Sequence, residues 1–299
     1  MKIGIDIGGS HIGVGIIDNG KIISIIEHNF NIEDKKDFEN SIIKYIKILV
    51  EKILLENKLN IDDINFIGIA APGTISNGVI IKAGNLNIKN FDIINRLKKL
   101  YNIPIQIRND AKCAAIAEKN YGIMKEYDDC VFINIGTGIG GAVFCNGKLL
   151  EPKRYSGFEF GHMILNKDGN KCTCGKKGCF ETYCSIQALK NKVCKTLNIS
   201  NDISGQYLRE NLLILDNDGV KNDIEEFLDY LKIGIGNLID IFEPEIVCLG
   251  GSFAYYEKNP VLNKLIEKLN EDNVTFNNTP PKIVTAMLKN NAGIIGAVL

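Results

Sequence analysis

The chain has 299 residues, enough for about two domains of ordinary size and a full hydrophobic core. Hydrophobic residues make up 45% and charged residues 24%, which excludes a disordered chain, a collagen-like fibre and a small disulfide scaffold. Lysine and arginine number 35 against 36 acidic residues, for a net charge of −1, so no basic excess exists to grip nucleic acid or an anionic membrane and the expected partner is small.

The opening MKIGIDIGGS enters a strand-like run at once. It lacks the apolar stretch of about 7–15 residues that marks a signal peptide, and no window reaches the ~20 apolar residues of a membrane span. The nine cysteines are then expected to remain thiols or metal ligands in a cytoplasmic protein. Ile3–Ile7 and Ile12–Ile17 read as strands joined by the turn Gly8–Ser10, and Asn19-Gly20 turns the chain into a third strand, Ile22–Ile26. Phe38–Leu55 is helical in spacing, with Ile42, Ile46, Leu49 and Ile53 on one face. Ile64–Ala70 is a buried strand ending in the loop Ala71-Pro72-Gly73, and Pro104–Ile107 a strand running into Asn109-Asp110. Those two residues are N-cap types for the helix Ala111–Asn120.

A second copy of the opening follows: strand Cys130–Ile135, glycine turn Gly136–Gly141, strand Ala142–Cys145, then Asn146-Gly147. Such internal duplication says more than either copy alone. Helices near Phe180–Cys194, Asn222–Phe242 and Pro260–Leu269, strands Ile246–Leu249 and Ile283–Ala286, and a final helix Ala292–Leu299 complete an α/β pattern. The division between halves is expected near residue 110. The first domain would hold residues 1–110, joined by the C-terminal segment 287–299, and the second residues 111–286.

The residues that carry chemistry fall in three groups. Asp6-Ile7-Gly8-Gly9-Ser10 and Asn134-Ile135-Gly136-Thr137-Gly138-Ile139-Gly140-Gly141 are glycine turns between strands. Turns of this kind can aim bare backbone N–H groups at phosphate oxygens, with the Ser10 and Thr137 hydroxyls as further donors. Either turn alone is as compatible with a plain hairpin; as a duplicated pair they suggest a clamp on a polyphosphate, with Asp6 placed to hold Mg²⁺ through water. Neither is a Walker loop, because the lysine is missing and no helix follows directly. The second group is His162, Cys172, Cys174 and Cys179, four ligand types within 18 positions, which meets the needs of a closed tetrahedral zinc site. Gly175 and Gly178 let so short a loop bend. Cys113, Cys130, Cys145, Cys184, Cys194 and Cys248 read as plain thiols. The third group is Asn109-Asp110, which is a simple helix cap or a carboxylate presented at an open helix mouth.

The two glycine hairpins, with Glu245-Ile246-Val247-Cys248-Leu249-Gly250-Gly251, resemble the duplicated actin-like (ribonuclease H-like) ATPase fold with an interdomain cleft. The stretch Gly157-Phe158-Glu159-Phe160-Gly161-His162, the cysteine loop and Phe180-Glu181 resemble the ROK family of repressors and sugar kinases. The resemblance runs from Asp6 to the closing Ala292-Gly293-Ile294-Ile295-Gly296-Ala297.

It implies an ATP-dependent hexose kinase in which Asp110 is the catalytic base. Gly73, Asn85, Asn109, Asp110, Glu159, His162 and Glu181 would contact the sugar. Asp6, Gly8, Gly9, Ser10, His11, Gly136, Thr137, Gly138, Gly140, Gly250 and Gly251 would hold Mg-ATP. The zinc would be structural and would fix the sugar loop at 157–181. A homodimer or tetramer is implied as well.

Two positions depart from the commoner pattern. His11 stands where the first hairpin usually has lysine, and Phe158 where the sugar loop usually has glycine. His11 together with Glu181-Thr182-Tyr183-Cys184-Ser185 most resembles the D-allose kinase branch, so D-allose 6-phosphate is the first expected product. Glucokinase or N-acetylmannosamine kinase activity is the alternative. From a different class come a silent sugar sensor or a repressor. Repressors of the family carry a DNA-binding extension before the first strand, and the first hairpin here begins within ten residues of Met1.

Overall fold

The computed structural model describes every residue except Ser10, Ile32, 153–157, 272–279 and the side chain of Asn85. The first part of the chain runs β1 (Lys2–Ile7), β2 (His11–Asp18), β3 (Lys21–Asn29), α1 (Phe38–Glu56), β4 (Phe66–Ala71), β5 (Thr74–Ser76), β6 (Val79–Ala83), β7 (Ile88–Phe91), α2 (Ile93–Lys98), β8 (Ile105–Asn109) and α3 (Asp110–Tyr121). It continues β9 (Cys130–Ile135), β10 (Ile139–Cys145), β11 (Lys148–Leu149), α4 (Glu181–Cys184), α5 (Ile186–Thr196) and the short α6 (Gly205–Tyr207). The last elements are α7 (Asp218–Phe242), β12 (Ile246–Gly250), α8 (Pro260–Glu271), β13 (Lys282–Thr285) and α9 (Asn291–Ala297).

Two compact units result, one formed by Met1–Gly122, Glu151–Gly157 and Asn290–Leu299, the other by Ile123–Leu150 and Phe158–Lys289. Each is built on a five-stranded sheet, ordered β3-β2-β1-β4-β8 in the first and β11-β10-β9-β12-β13 in the second. β1 pairs antiparallel with β2 and parallel with β4; β9 pairs antiparallel with β10 and parallel with β12. The two sheets therefore share one topology, and the repeated strand, glycine turn and Asn-Gly pattern is its sequence trace.

In the first unit the sheet's apolar side is closed by α1, whose Ile42, Ile46, Leu49 and Ile53 are buried with Ile3, Ile5 and Ile69. Burial of such side chains stabilises by about 1.5–3 kcal/mol each. The other side takes α9 at backbone distance. A Cβ on Gly68 would stand 1.9 Å from the Ala297 carbonyl, and one on Gly4 2.2 Å from that of Ile294. Helix α3 belongs to this unit, so the division falls after Gly122 and not near residue 110. The reason is packing: Ala70, Cys113 and Ala297 form a buried cluster, and Gly296 lies so close to the Cys113 carbonyl that a Cβ would meet it at 1.7 Å.

Three local features differ from the expected elements. The segment after Gly73 forms a separate sheet, β5-β6-β7, turned by Asn77 and Gly78 with φ of 49° and 81°. The helix expected over Phe180–Cys194 is two helices, because Ser185 adopts an extended backbone and its hydroxyl accepts from the Ala188 N–H to cap α5. α7 begins at Asp218, where the Asn217 side chain accepts from the Val220 N–H. Among the described residues, no helix is long and apolar enough to cross a membrane.

Candidate active site

In the first unit, β1, β4 and β8 run parallel, with Asp6 level with Ala70 and Ala71 level with Asn109. Their C-terminal ends thus present Asp6, the Ala71–Gly73 loop and Asn109-Asp110 along one edge, the edge where open α/β sheets hold ligands. Asn109 caps α3: its Oδ1 accepts from the Ala111 and Lys112 N–H groups at 3.1 and 3.3 Å. Its Nδ2 donates to the Gly73 carbonyl at 3.2 Å. Two expected sugar contacts 36 residues apart are thereby joined. Gly73 has φ +92°, and a Cβ there would stand 2.2 Å from the Lys82 carbonyl, so only glycine fits the turn. The capping role holds at Asn109, with Asp110 as the first residue of the helix.

Asp6 keeps some exposed surface, yet its carboxyl is set deep. Burial, then the Asp110 carboxylate, then Glu27 raise its pKa to about 7. Gly293 of α9 forms the floor, where a Cβ would stand 2.6 Å from Asp6 Oδ2. A carboxyl whose proton affinity is raised by burial and by a neighbouring carboxylate, over a glycine floor that leaves it room, suits a hard divalent cation with oxygen ligands. Gly293 carries no chemistry of its own, and only the small-residue run Ala292-Gly293 hints at it. The first glycine turn is closed by the Gly8 N–H donating to the His11 carbonyl at 2.8 Å, and the His11 ring lies over Gly8. Ser10 lies outside the described residues. Asn85 sits in a 3-10 turn, Gly84–Leu86.

The second unit holds the remaining groups. Gly136, Thr137 and Gly138 form the turn between β9 and β10, with Gly140 inside β10 level with Asn134. Gly250 pairs with Asn134, and Gly251, at φ +65°, packs its Cα against the Asn134 side chain and the Ile135 carbonyl. The two glycine motifs of this unit therefore meet at the end of β9. Asn134 was not singled out from sequence. The Ile186 N–H donates to the Gly136 carbonyl at 2.9 Å, so the break between α4 and α5 fastens the same turn.

His162, Cys172, Cys174 and Cys179 offer ligand atoms all within 4.8 Å of one another. Cys172 Sγ is 3.6 Å from His162 Nδ1, and Cys174 Sγ 3.6 Å from Cys179 Sγ. The ligand–ligand edge of a tetrahedron with Zn–S and Zn–N bonds of ordinary length is about 3.5–3.8 Å, so the donor set fits zinc. The loop closes because the Gly175 N–H donates to the Cys172 carbonyl and the Cys172 N–H to that of Lys176. Gly175 and Gly178 have φ of +96° and +74°, which meets the expectation that glycine supplies the bend. Burial pushes the Cys172 thiol up to about 12. Burial also works to raise Cys174, but the Lys176 N–H and the neighbouring sulfurs bring it below the usual thiol value. Tyr183 braces the loop, stacked on Tyr230 at 4.0 Å with its hydroxyl accepting from the Asn170 N–H.

Glu181 is the junction of this unit. Fully buried Phe180 packs against Gly234 of α7 and seats the start of α4. One Glu181 oxygen is 3.1 Å from Cys172 Sγ and 3.6 Å from His162 Nδ1. The other lies where a Cβ on Gly138 would come within 2.9 Å. Glu159 is exposed and precedes the turn Phe160–His162, in which the His162 N–H donates to the Glu159 carbonyl at 2.9 Å. Phe158 has φ +53°, a left-handed conformation that costs a bulky residue about 1–2 kcal/mol. Its ring meets Phe160 at 6.0 Å and Phe242 at 6.2 Å, and each such pair is worth about 0.5–1.5 kcal/mol, enough to offset the strain. Gly157 lies outside the described residues.

The whole chain matches the ROK family over residues 2–299, and the protein belongs to that family. A beta-glucoside kinase from Listeria monocytogenes is 31% identical over 304 residues, covering 100% of this chain and 96% of the relative. A xylose repressor from Bacillus subtilis is 34% identical over 236 residues, covering 77% of this chain and 59% of the repressor, so this chain spans little more than half of that relative. Among solved structures, a ROK family glucokinase from Streptomyces griseus, in complex with glucose and AMPPNP, superposes with a TM-score of 0.85 at 25% identity, covering 99% and 97% of the two chains. The duplicated sheets are those of the actin-like ATPase fold.

Proposed function

We propose that the protein is an ATP-dependent hexose kinase that transfers the γ-phosphate to a sugar 6-hydroxyl. The observation that carries this reading is the pair Asp6 and Asp110 at the ends of parallel strands, one buried with a raised pKa and the other at a helix mouth beside Asn109. A binding-only protein has no need of two mutually repelling carboxylates, whereas phosphoryl transfer uses one to take the hydroxyl proton and one to hold the cation. The kinase relatives over the full chain support the same class.

In this reading Asp110 accepts the proton from the attacking hydroxyl. A loose transition state asks little of the base, so an ordinary carboxylate serves. Gly73, Asn85, Asn109, Glu159, His162 and Glu181 bind sugar hydroxyls; each carboxylate can accept two. Gly8, Gly9, Ser10, His11, Gly136, Thr137, Gly138, Gly140, Gly250 and Gly251 bind the nucleotide. Magnesium near Asp6 would neutralise triphosphate charge, and zinc on His162, Cys172, Cys174 and Cys179 would fix the His162 tautomer and the loop that carries Glu181. Cys174→Ser should reduce zinc from one per chain to near zero, cost on the order of 3 kcal/mol of stability and weaken sugar affinity. Metal analysis and thermal unfolding check this; unchanged metal content would remove the zinc assignment.

D-allose is the first candidate substrate, with D-glucose and N-acetylmannosamine as alternatives and a homodimer or tetramer as the expected assembly. A second reading, a sugar-responsive regulator without turnover, is favoured by the repressor relative. A coupled ADP-release assay with Mg-ATP separates the two. The panel is allose, glucose, mannose, fructose, xylose, N-acetylmannosamine, N-acetylglucosamine and a β-glucoside. Hexose-dependent ADP release with one clear winner is the expected result. Sugar binding by folded, zinc-replete protein without ADP release on any member supports the regulator.

A further inference from the structure

The turn that carries Glu159 is fixed downstream by contacts of three residues and, among the described residues before it, by Phe158. Downstream, the Phe160 ring lies against Gly141 of β10, and Gly161 sits against the Ile139 carbonyl, where a Cβ would stand 2.4 Å away. His162 joins the cysteine set. Upstream, the described chain begins at Phe158, whose φ of +53° sets the direction in which Glu159 leaves the backbone. Its carbonyl accepts from the Phe160 N–H at 2.8 Å. A phenylalanine does not choose a left-handed backbone unaided. What holds it there is the ring, edge-on to Phe160 and to Phe242 at the C-terminal end of α7.

We propose that Phe158, clasped by Phe242, is a positioning residue that aims Glu159 at the sugar and so sets hexose affinity. Phe158 does not itself touch the substrate in this scheme. Aromatic packing supplies a backbone conformation that glycine would otherwise be needed to allow, and Phe242, 84 positions later in the chain, becomes part of the sugar site without lying in it. The inference rests on the kinase reading for its use and on the geometry of the turn for its existence, and the two are tested apart.

Phe158→Ala, Phe242→Ala, Phe158→Gly and Glu159→Ala are compared with the parent protein. The alanine variants of Phe158 and Phe242 are expected to raise the hexose KM by about 10-fold while the ATP KM changes by less than about 2-fold, as misplacement of a binding group does. Phe158→Gly is expected to return to within about 3-fold of the parent, since glycine adopts φ +53° without a ring. A purely structural role would leave Gly no better than Ala, and that result overturns the proposal.

Hydrogen exchange at the Phe160 and His162 amides reads the clasp independently of turnover. Faster exchange in both alanine variants, with zinc content unchanged, supports it, and unchanged exchange overturns it. If the parent lacks kinase activity, the exchange arm still decides the clasp while the kinase reading falls. If Glu159→Ala leaves the hexose KM unchanged, the clasp has nothing to aim and the proposal falls while kinase activity stands.

Discussion

Asp110→Asn is expected to lower kcat for hexose phosphorylation by about 10³-fold, within the range that loss of a general base produces, while sugar dissociation constants shift by less than about 3-fold. The amide keeps the size of the side chain, Asn109 Oδ1 still caps α3 through the Ala111 and Lys112 N–H groups, and the amide oxygen at 110 can still accept from the Ala111 N–H as Asp110 Oδ1 does at 2.8 Å. Removing the charge also relieves Asp6, whose raised pKa owes its second contribution to Asp110. Steady-state kinetics together with calorimetric titration of the sugar check the split. Loss of turnover and sugar binding together would mean that Asp110 is structural, and unaffected turnover would remove it from the mechanism.

Asp6→Asn sets function against stability. The folded protein holds Asp6 with a pKa of about 7 against an ordinary value of 3.8. Between those two pH values the unfolded chain has released a proton that the native state retains, so stability falls as pH rises through that window. Below about pH 4 both states are protonated and no penalty exists; above about pH 7 the penalty is complete. Each pKa unit corresponds to about 1.4 kcal/mol. With the partial exposure of the side chain, Asp6→Asn in magnesium-free buffer at pH 8 should be more stable by about 2–4 kcal/mol, and by nothing near pH 4. The same variant should lose turnover by at least about 10²-fold through its nucleotide-bound magnesium. Denaturant melts at pH 4 and pH 8 check the first part. A variant that is less stable than the parent at pH 8 would show that Asp6 is held by favourable contacts, and the cation-site reading would lose its support.

The duplicated hairpins were legible because strand alternation, glycine turns and Asn-Gly pairs are local signals, and the turns at Asn19-Gly20 and Asn146-Gly147 take the left-handed backbone those pairs favour. The same signal at Asn77-Gly78 is weak in sequence because its flanking strands, Thr74–Ser76 and Val79–Ala83, are too short to show a period. The break at Ser185 was hidden by helical spacing that continues across it; the hydroxyl that caps α5 is a choice between helix and cap that tertiary contacts settle.

The candidate site was legible in its parts. The metal set lies within 18 positions and needs no knowledge of the fold. Asp6 and Asp110 are 104 positions apart, and only the parallel register of β1, β4 and β8 brings them to one edge. Gly293 under Asp6, Asn134 beside Gly251 and the clasp on Phe158 were not legible, since each depends on which backbone passes close to which side chain. Phe158 is a bulky residue where the family resemblance implies glycine. Its φ and its two ring contacts give the physical account: the ring packs into the second unit's core, and the backbone bears the strain.

Transfer of the γ-phosphate to the sugar is read by phosphorus NMR of the product. With Mg-ATP and the best hexose of the panel, a phosphomonoester resonance coupled to the two protons on carbon 6 should grow as the ATP γ-phosphate signal declines in equal amount. Loss of γ-phosphate to inorganic phosphate alone, or bound sugar with ATP intact in zinc-replete folded protein, would contradict the assignment.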